Sequence, residues 1–127
     1  MKEGFLLSQN TLPHNHGEKS VEVLEKMPQD NEFKTVSDIF AQLGDKSRLK
    51  LFWILCHCED CVINISAMME MSSPAVSHHL KILKTSGLIV SRRDGKEVYY
   101  KAADSKQVKM IHDTIESLMA IICPIKE

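Results

Sequence analysis

Ser72-Ser73-Pro74-Ala75-Val76-Ser77-His78-His79-Leu80-Lys81-Ile82-Leu83-Lys84, then Thr85-Ser86-Gly87, then Leu88-Ile89-Val90-Ser91-Arg92-Arg93-Asp94-Gly95-Lys96-Glu97-Val98-Tyr99-Tyr100-Lys101, reads as a helix, a short turn and a basic hairpin. Ser72 or Ser73 suits the cap of a helix, and Pro74 has its φ preset for the first turn. Val76, Leu80 and Leu83 recur at spacings of four and three, which predicts one inward face. Ser73, Ala75, Ser77, His78, His79, Lys81 and Lys84 fill the remaining faces with small, hydrogen-bonding or cationic groups suited to base edges and phosphates. Gly87 ends this helix. Leu88–Arg93 reads as a strand, Asp94-Gly95 as a type I′ hairpin turn, and Lys96–Lys101 as the returning strand. A helix of this kind followed by a hairpin carrying Arg92, Arg93 and Lys96 is the signature of a winged helix-turn-helix that binds duplex DNA.

Charge placement supports that reading. The 127-residue chain carries a net charge of −1, which by itself argues against a nucleic-acid partner. Residues 71–103, however, hold Lys81, Lys84, Arg92, Arg93, Lys96 and Lys101 against Asp94 and Glu97, six cations less two anions, or +4. Residues 1–60 hold seven cations and ten anions, or −3, so phosphate would meet one face only.

The length allows one domain with a real core and little room for a separate catalytic unit, so no enzyme is expected. Apolar runs are too short to span a bilayer, and the first ten residues lack the apolar core of a signal peptide, so the expectation is a cytoplasmic chain with no membrane partner. Four cysteines in that compartment are expected as thiols, for metal binding or redox sensing.

Over the whole chain, residues 1–19 read as a flexible arm bearing His14 and His16, and residues 20–123 as the winged helix-turn-helix domain. Within it, Val21–Met27 predicts a short helix stopping before Pro28. Phe33, Val36, Ile39, Phe40 and Leu43 predict a second, closed by Gly44. Asp45 caps a third in which Leu49, Phe52, Trp53 and Cys56 share a face. Residues 63–71, with Ile65, Met68 and Met69, form the first arm of the helix-turn-helix. Asp104 caps a final helix, 104–123, with Val108, Ile111, Ile115, Leu118 and Ile122 as its stripe, followed by a tail, 124–127. That helix is broadly apolar at its end, and such a stripe most often pairs with another chain. Two-fold DNA sites need two recognition helices about one duplex turn apart, so a homodimer is expected.

The second informative stretch is Cys56-His57-Cys58-Glu59-Asp60-Cys61, just ahead of the helix-turn-helix. Thiolates suit soft or borderline cations such as zinc, cadmium, lead or cuprous copper. Cys58 and Cys61 stand as C-x-x-C, a spacing that brings both sulfurs to one ion. His14-Asn15-His16 places two imidazoles on one side of an extended arm, and Cys123 adds a thiol at the end of the last helix. Cys56 also lies on the core stripe of its own helix, where a buried thiol serves equally as a small hydrophobe. His78 and His79 are read as facing DNA, and His112 as a surface or dimer-edge residue.

The chain resembles the ArsR/SmtB family of bacterial metal-responsive repressors from about Ile39 to Ile122. The resemblance rests on Leu43-Gly44-Asp45-Lys46-Ser47-Arg48-Leu49, on Glu59-Asp60-Cys61-Val62, on Ser73–Leu83, and on Gly87-Leu88-Ile89 through Gly95-Lys96-Glu97-Val98-Tyr99-Tyr100. It implies a homodimeric, mostly α protein with a small β-hairpin and with N- and C-terminal helices at the dimer interface. It also implies a repressor that releases its operator when an inducer binds. Inducers in the family include metal ions, arsenite or antimonite and, in one branch, reactive sulfur that oxidises two thiols. Cys61 matches the first cysteine of the family's C-x-C motif, but Ile63 and Asn64 replace the second cysteine and the following acid. The family's zinc site between paired final helices is absent, since Lys106, Ser117 and Ala120 occupy its ligand positions. Cys56 and Cys123 approximate the thiol pair of the sulfur-sensing branch. Two inputs therefore stay open: a soft divalent ion such as zinc or cadmium, held by Cys58 and Cys61 with Cys56, His14, His16 or Cys123, or thiol oxidation.

Overall fold

The structure, a computed structural model, describes residues 12–124. Its elements in chain order are α1 (Glu18–Lys26), α2 (Asp30–Gln42), α3 (Lys46–His57), β1 (Asp60–Cys61), α4 (Val62–Met69), α5 (Ser73–Thr85), β2 (Ile89–Asp94), β3 (Glu97–Ala102) and α6 (Lys106–Ile122). They fall into two compact units divided after Phe40.

In the first unit α1 starts at Glu18, so the last residues of the expected arm are helical. Glu18 in the first turn and Lys26 in the last suit the helix dipole, which extends the helix beyond its apolar residues. Neither α1 nor α2 contains a buried residue, and Phe33, Val36 and Phe40 are all at least half exposed.

In the second unit Asp45 caps α3, its carboxylate accepting the Arg48 backbone N–H at 3.0 Å. The buried residues of α3 are Leu51, Phe52, Ile54 and Leu55, whereas Leu49, Trp53 and Cys56 are only half-buried. The expected stripe is corrected for a physical reason: α3 packs against α4, α5 and β3, so it buries a broad arc rather than one seam. With Ile65 and Met69 of α4, Val76, Leu80 and Leu83 of α5, Leu88, Ile89 and Val108, these side chains make the core.

The turn between α4 and α5 uses Glu70 at φ 55, with its N–H on the Ala67 carbonyl and the Met71 N–H on that of Ser66. Ser72 caps α5 by accepting the Ala75 N–H at 3.3 Å. At the other end Gly87, at φ 81, and Leu88 donate to the carbonyls of Lys84 and Leu83, the bonding of a Schellman motif. The inward face of α5 is Val76, Leu80 and Leu83, as its spacing predicts.

The wing is antiparallel, with strand order β1-β3-β2. Asp94 pairs with Glu97, so Gly95-Lys96 is the two-residue loop, one position beyond the expected Asp94-Gly95. Only Gly95 has positive φ there, which fits a type II′ turn and excludes type I′. The short β1 was not legible from spacing, since two residues carry no alternation; it sets Cys61 opposite Tyr99 and Asp60 opposite Tyr100. Ser105, rather than Asp104, caps α6, accepting the Val108 N–H at 3.2 Å. Only Val108 of α6 is buried, while Met110, Leu118, Ile121 and Ile122 are at least half exposed. Among the described residues no helix is long and apolar enough to cross a membrane.

Candidate functional site

The outer face of α5 presents Ser77, His78, Lys81 and Lys84 to solvent, with Ala75 half-buried at its start. Two residues expected on that face are partly engaged within the fold. The Ser73 hydroxyl lies 3.2 Å from that of Ser66 in α4. His79 is half-buried, with Nδ1 3.4 Å from Arg48 Nη1; a guanidinium only donates, so Nδ1 accepts. On the wing Arg93 and Lys96 are exposed, and Arg93 Nη1 reaches the Gly95 carbonyl at 3.4 Å. Arg92 instead donates through Nε and Nη2 to Glu59 at 2.9 and 3.0 Å, and its guanidinium stands 4.9 Å from the Tyr99 ring centre. These hydrogen bonds hold the Glu59 carboxyl below its ordinary pKa. The exposed cations of α5 and the wing form a surface suited to a phosphate backbone, and Ser77 and His78 share the exposed face of α5 with Lys81 and Lys84.

All four thiols are free. Cys56, half-buried in the last turn of α3, has its pKa pushed up to about 11 by burial and then by the Glu116 charge. Cys58 is exposed at the C-cap of α3, its pKa raised by desolvation and by Asp60. Cys61 is half-buried in β1 and directly precedes α4. Cys123 is exposed at the C-cap of α6. His14 and His16 are exposed in the first unit, their rings nearly parallel with centres 5.7 Å apart.

Among the described residues, the group of three or more metal-capable side chains placed to share an ion is His57, His112 and Glu116, with no cysteine among them. His57 ends α3, while His112 and Glu116 stand one turn apart on α6. Oε2 of Glu116 lies 3.2 Å from His57 Nε2 and 3.1 Å from His112 Nε2, and it accepts the Trp53 indole N–H at 2.8 Å. The two Nε2 atoms are 3.2 Å apart. The hydrogen bond from His57, then that from Trp53, holds the Glu116 carboxyl below its usual range. Beside this cluster opens a cavity of 340 Å³ between the end of α3, the end of β3 and the start of α6; Cys56, His57, Cys58, Asp104 and His112 line it.

Sequence spacing does not single out this cluster. His112 and Glu116 at i,i+4 share a helix face, which is the one local signal. Their meeting with Trp53 and His57 depends on the packing of two helices more than fifty residues apart in sequence.

Residues 45–91 match the family profile described as bacterial regulatory protein, arsR family. The chain is 33% identical to a transcriptional repressor SmtB homolog of a Synechocystis species, over 84% of this chain and 80% of that one. It is 36% identical to a cadmium resistance transcriptional regulatory protein CadC homolog of Staphylococcus aureus, over 60% and 63% respectively. The fold is similar to a homodimeric winged helix-turn-helix DNA-binding domain of Mycobacterium bovis, with a TM-score of 0.63 and 25% identity over 69% of this chain and 81% of that one. These relatives are regulators rather than enzymes, which agrees with the sequence reading. The capped recognition helix, the three-stranded wing and the match over 45–91 together place this chain in the ArsR family of bacterial regulatory proteins.

Proposed function

We propose that this protein is a transcriptional repressor that binds a double-stranded DNA operator as a homodimer and releases it when a soft divalent ion, zinc or cadmium, binds at Cys58 and Cys61. The observation that carries the DNA-binding part is the exposed Ser77, His78, Lys81 and Lys84 face of α5 beside a wing bearing Arg93 and Lys96. DNA contacts are assigned to Ser73, Ala75, Ser77, His78, His79, Lys81, Lys84, Arg92, Arg93 and Lys96. The metal part is supported by the likeness to SmtB- and CadC-type repressors and by position. Cys58 and Cys61 flank Glu59, which grips Arg92, and Cys61 leads directly into α4, the support of α5. Cys56, His14, His16 or Cys123 completes the donor set. Drawing the thiolates onto the ion shifts the start of α4, and a small rotation in each protomer misaligns two recognition helices against a fixed half-site spacing.

Thiol oxidation is the alternative input. Trp53 and His57 of α3 meet Glu116 and His112 of α6 respectively, so the two helices run antiparallel and Cys56 lies near residues 112–116. Cys123 is seven residues past Glu116, about 10 Å further along the axis, which is too far for a Cys56–Cys123 bridge within one chain without movement.

The test is titration of the reduced protein with cadmium, following thiolate-to-metal absorbance and operator release together. Stoichiometric binding lost in Cys58→Ser/Cys61→Ser, with operator affinity intact in the absence of metal, supports the reading. Operator release by peroxide or persulfide, with none by metal, replaces it with the redox reading.

A further inference from the structure

We propose that His57, His112 and Glu116 form a second metal site, made of nitrogen and oxygen donors, that takes a zinc-class ion and staples the end of α3 to the middle of α6. This site is independent of the Cys58–Cys61 reading.

The geometry carries the argument. Zinc bonds imidazole nitrogen and carboxylate oxygen at about 2.0–2.1 Å, so two donors on a tetrahedron of that radius stand about 3.3–3.4 Å apart. The three donor atoms here form a triangle with sides of 3.1, 3.2 and 3.2 Å. Each side is therefore within about 0.3 Å of a tetrahedral edge, so the spacing of the three atoms suits one shared ion.

Protons satisfy this triangle poorly. Each Nε2 carries at most one hydrogen, which must choose between the carboxylate and the other ring. With both nitrogens protonated, two N–H groups oppose each other at 3.2 Å; with one protonated, a single hydrogen serves a nitrogen that has two neighbours. A cation bonded to three lone pairs satisfies all three atoms at once.

The surroundings agree. Trp53 donates its indole N–H to the Glu116 carboxylate at 2.8 Å, the kind of outer hydrogen bond that orients a metal-ligating carboxylate. The His57 and Glu116 side chains are each 43% exposed, so an ion has an entry path and a fourth position remains for water. Two imidazoles and one carboxylate select zinc, cobalt or nickel over calcium or magnesium, which take oxygen donors.

The experiment uses the full chain carrying Cys58→Ser, Cys61→Ser and Cys123→Ser, titrated with cobalt(II) alone and then with zinc. Trp53 is the sole tryptophan, so its emission reports on Glu116 directly. The expected result is saturable quenching at one cobalt per protomer, reversed by zinc, and nitrogen or oxygen scatterers at about 2.0–2.1 Å in X-ray absorption of the zinc form. His112→Gln and Glu116→Gln, each added to that chain, are expected to weaken binding at least about tenfold, with unchanged circular dichroism. Failure of the triple-serine chain to bind cobalt or zinc overturns the site, as does equal binding by folded His112→Gln and Glu116→Gln variants. A sulfur shell at about 2.3 Å, from Cys56, overturns it as well.

Discussion

Arg92 grips Glu59 with Nε and Nη2 at 2.9 and 3.0 Å, tying the wing to the segment between Cys58 and Cys61. The Arg92 side chain is 53% exposed and that of Glu59 28%, so the pair adds little to stability. Its significance lies in competition. The cation expected to meet a phosphate is already neutralised by a carboxylate on the proposed sensing segment, with Asp94 a further 3.7 Å from its Nη1. Glu59→Gln therefore releases Arg92 and is expected to tighten binding to any duplex, with a log K against log salt slope steeper by about 0.9. Arg92→Ala/Arg93→Ala is expected to weaken binding to all sequences and flatten the slope. Salt titration of both variants by fluorescence anisotropy checks this, and equal slopes in all three proteins would remove the wing from the contact.

The exposed face of α5 predicts a different signature. Ser77 and His78 face outward and, among the described residues, form no hydrogen bond to a neighbouring element, so replacing either with Ala is expected to leave the fold intact and to change which operator is preferred. Discrimination at one base pair is expected to fall by about 1–3 kcal/mol. Lys81→Ala and Lys84→Ala are expected to lower affinity about equally for all sequences. Binding to a panel of single-base operator variants separates the two classes.

Asp45 gives a pH dependence with a defined sign. The Arg48 backbone N–H, donating at 3.0 Å, is the chief cause that holds the Asp45 carboxyl below its ordinary range. A depressed folded pKa contributes stability that is fully present above the unfolded value and is lost as pH falls through the folded one. Asp45→Ala is therefore expected to melt below the parent at neutral pH, with the gap closing below about pH 4. Asp45→Ser, which keeps a capping oxygen that does not titrate, recovers part of the loss, and its margin over Asp45→Ala is expected to stay constant across that range. Thermal melts between pH 3 and 7 on the three proteins check it.

Local signals account for what is legible in the sequence. Val76, Leu80 and Leu83 recur at helical spacing and Ser72 and Gly87 bracket them chemically, so the helix, its ends and its apolar face are all marked within the segment itself. The errors occur where tertiary contacts decide. Leu51, Ile54 and Leu55 displace Trp53 and Cys56 from the interior because α3 is covered by three other elements. The hairpin turn moves to Gly95-Lys96 because the Asp94–Glu97 pairing, rather than the dipeptide, sets the loop. The cysteine-rich segment draws attention by composition, whereas the converging triad is assembled from α3 and α6. Only His112 and Glu116, at i,i+4, leave a trace of it in the sequence.

The last helix carries the remaining prediction. Met110, Leu118 and Ile121 of α6 are 70%, 50% and 76% exposed, and with Thr114 and Ser117 they line one shallow groove along that helix. Apolar side chains in such a row are costly in water, and a second copy of the helix is the covering a two-fold operator requires. Ile121→Glu changes a side chain that the single chain barely buries, so its effect on the protomer fold is expected to stay within about 0.5 kcal/mol. At a paired face the same charge is buried, and the dimer dissociation constant is expected to rise about tenfold or more. Operator affinity then falls with it at low protein concentration and recovers as protein concentration is raised, because only the dimer spans both half-sites. Sedimentation of parent and variant over a concentration series, with operator binding measured alongside, decides the matter. A variant that stays dimeric at the parent's concentrations and binds operator equally well would show that α6 is not the interface.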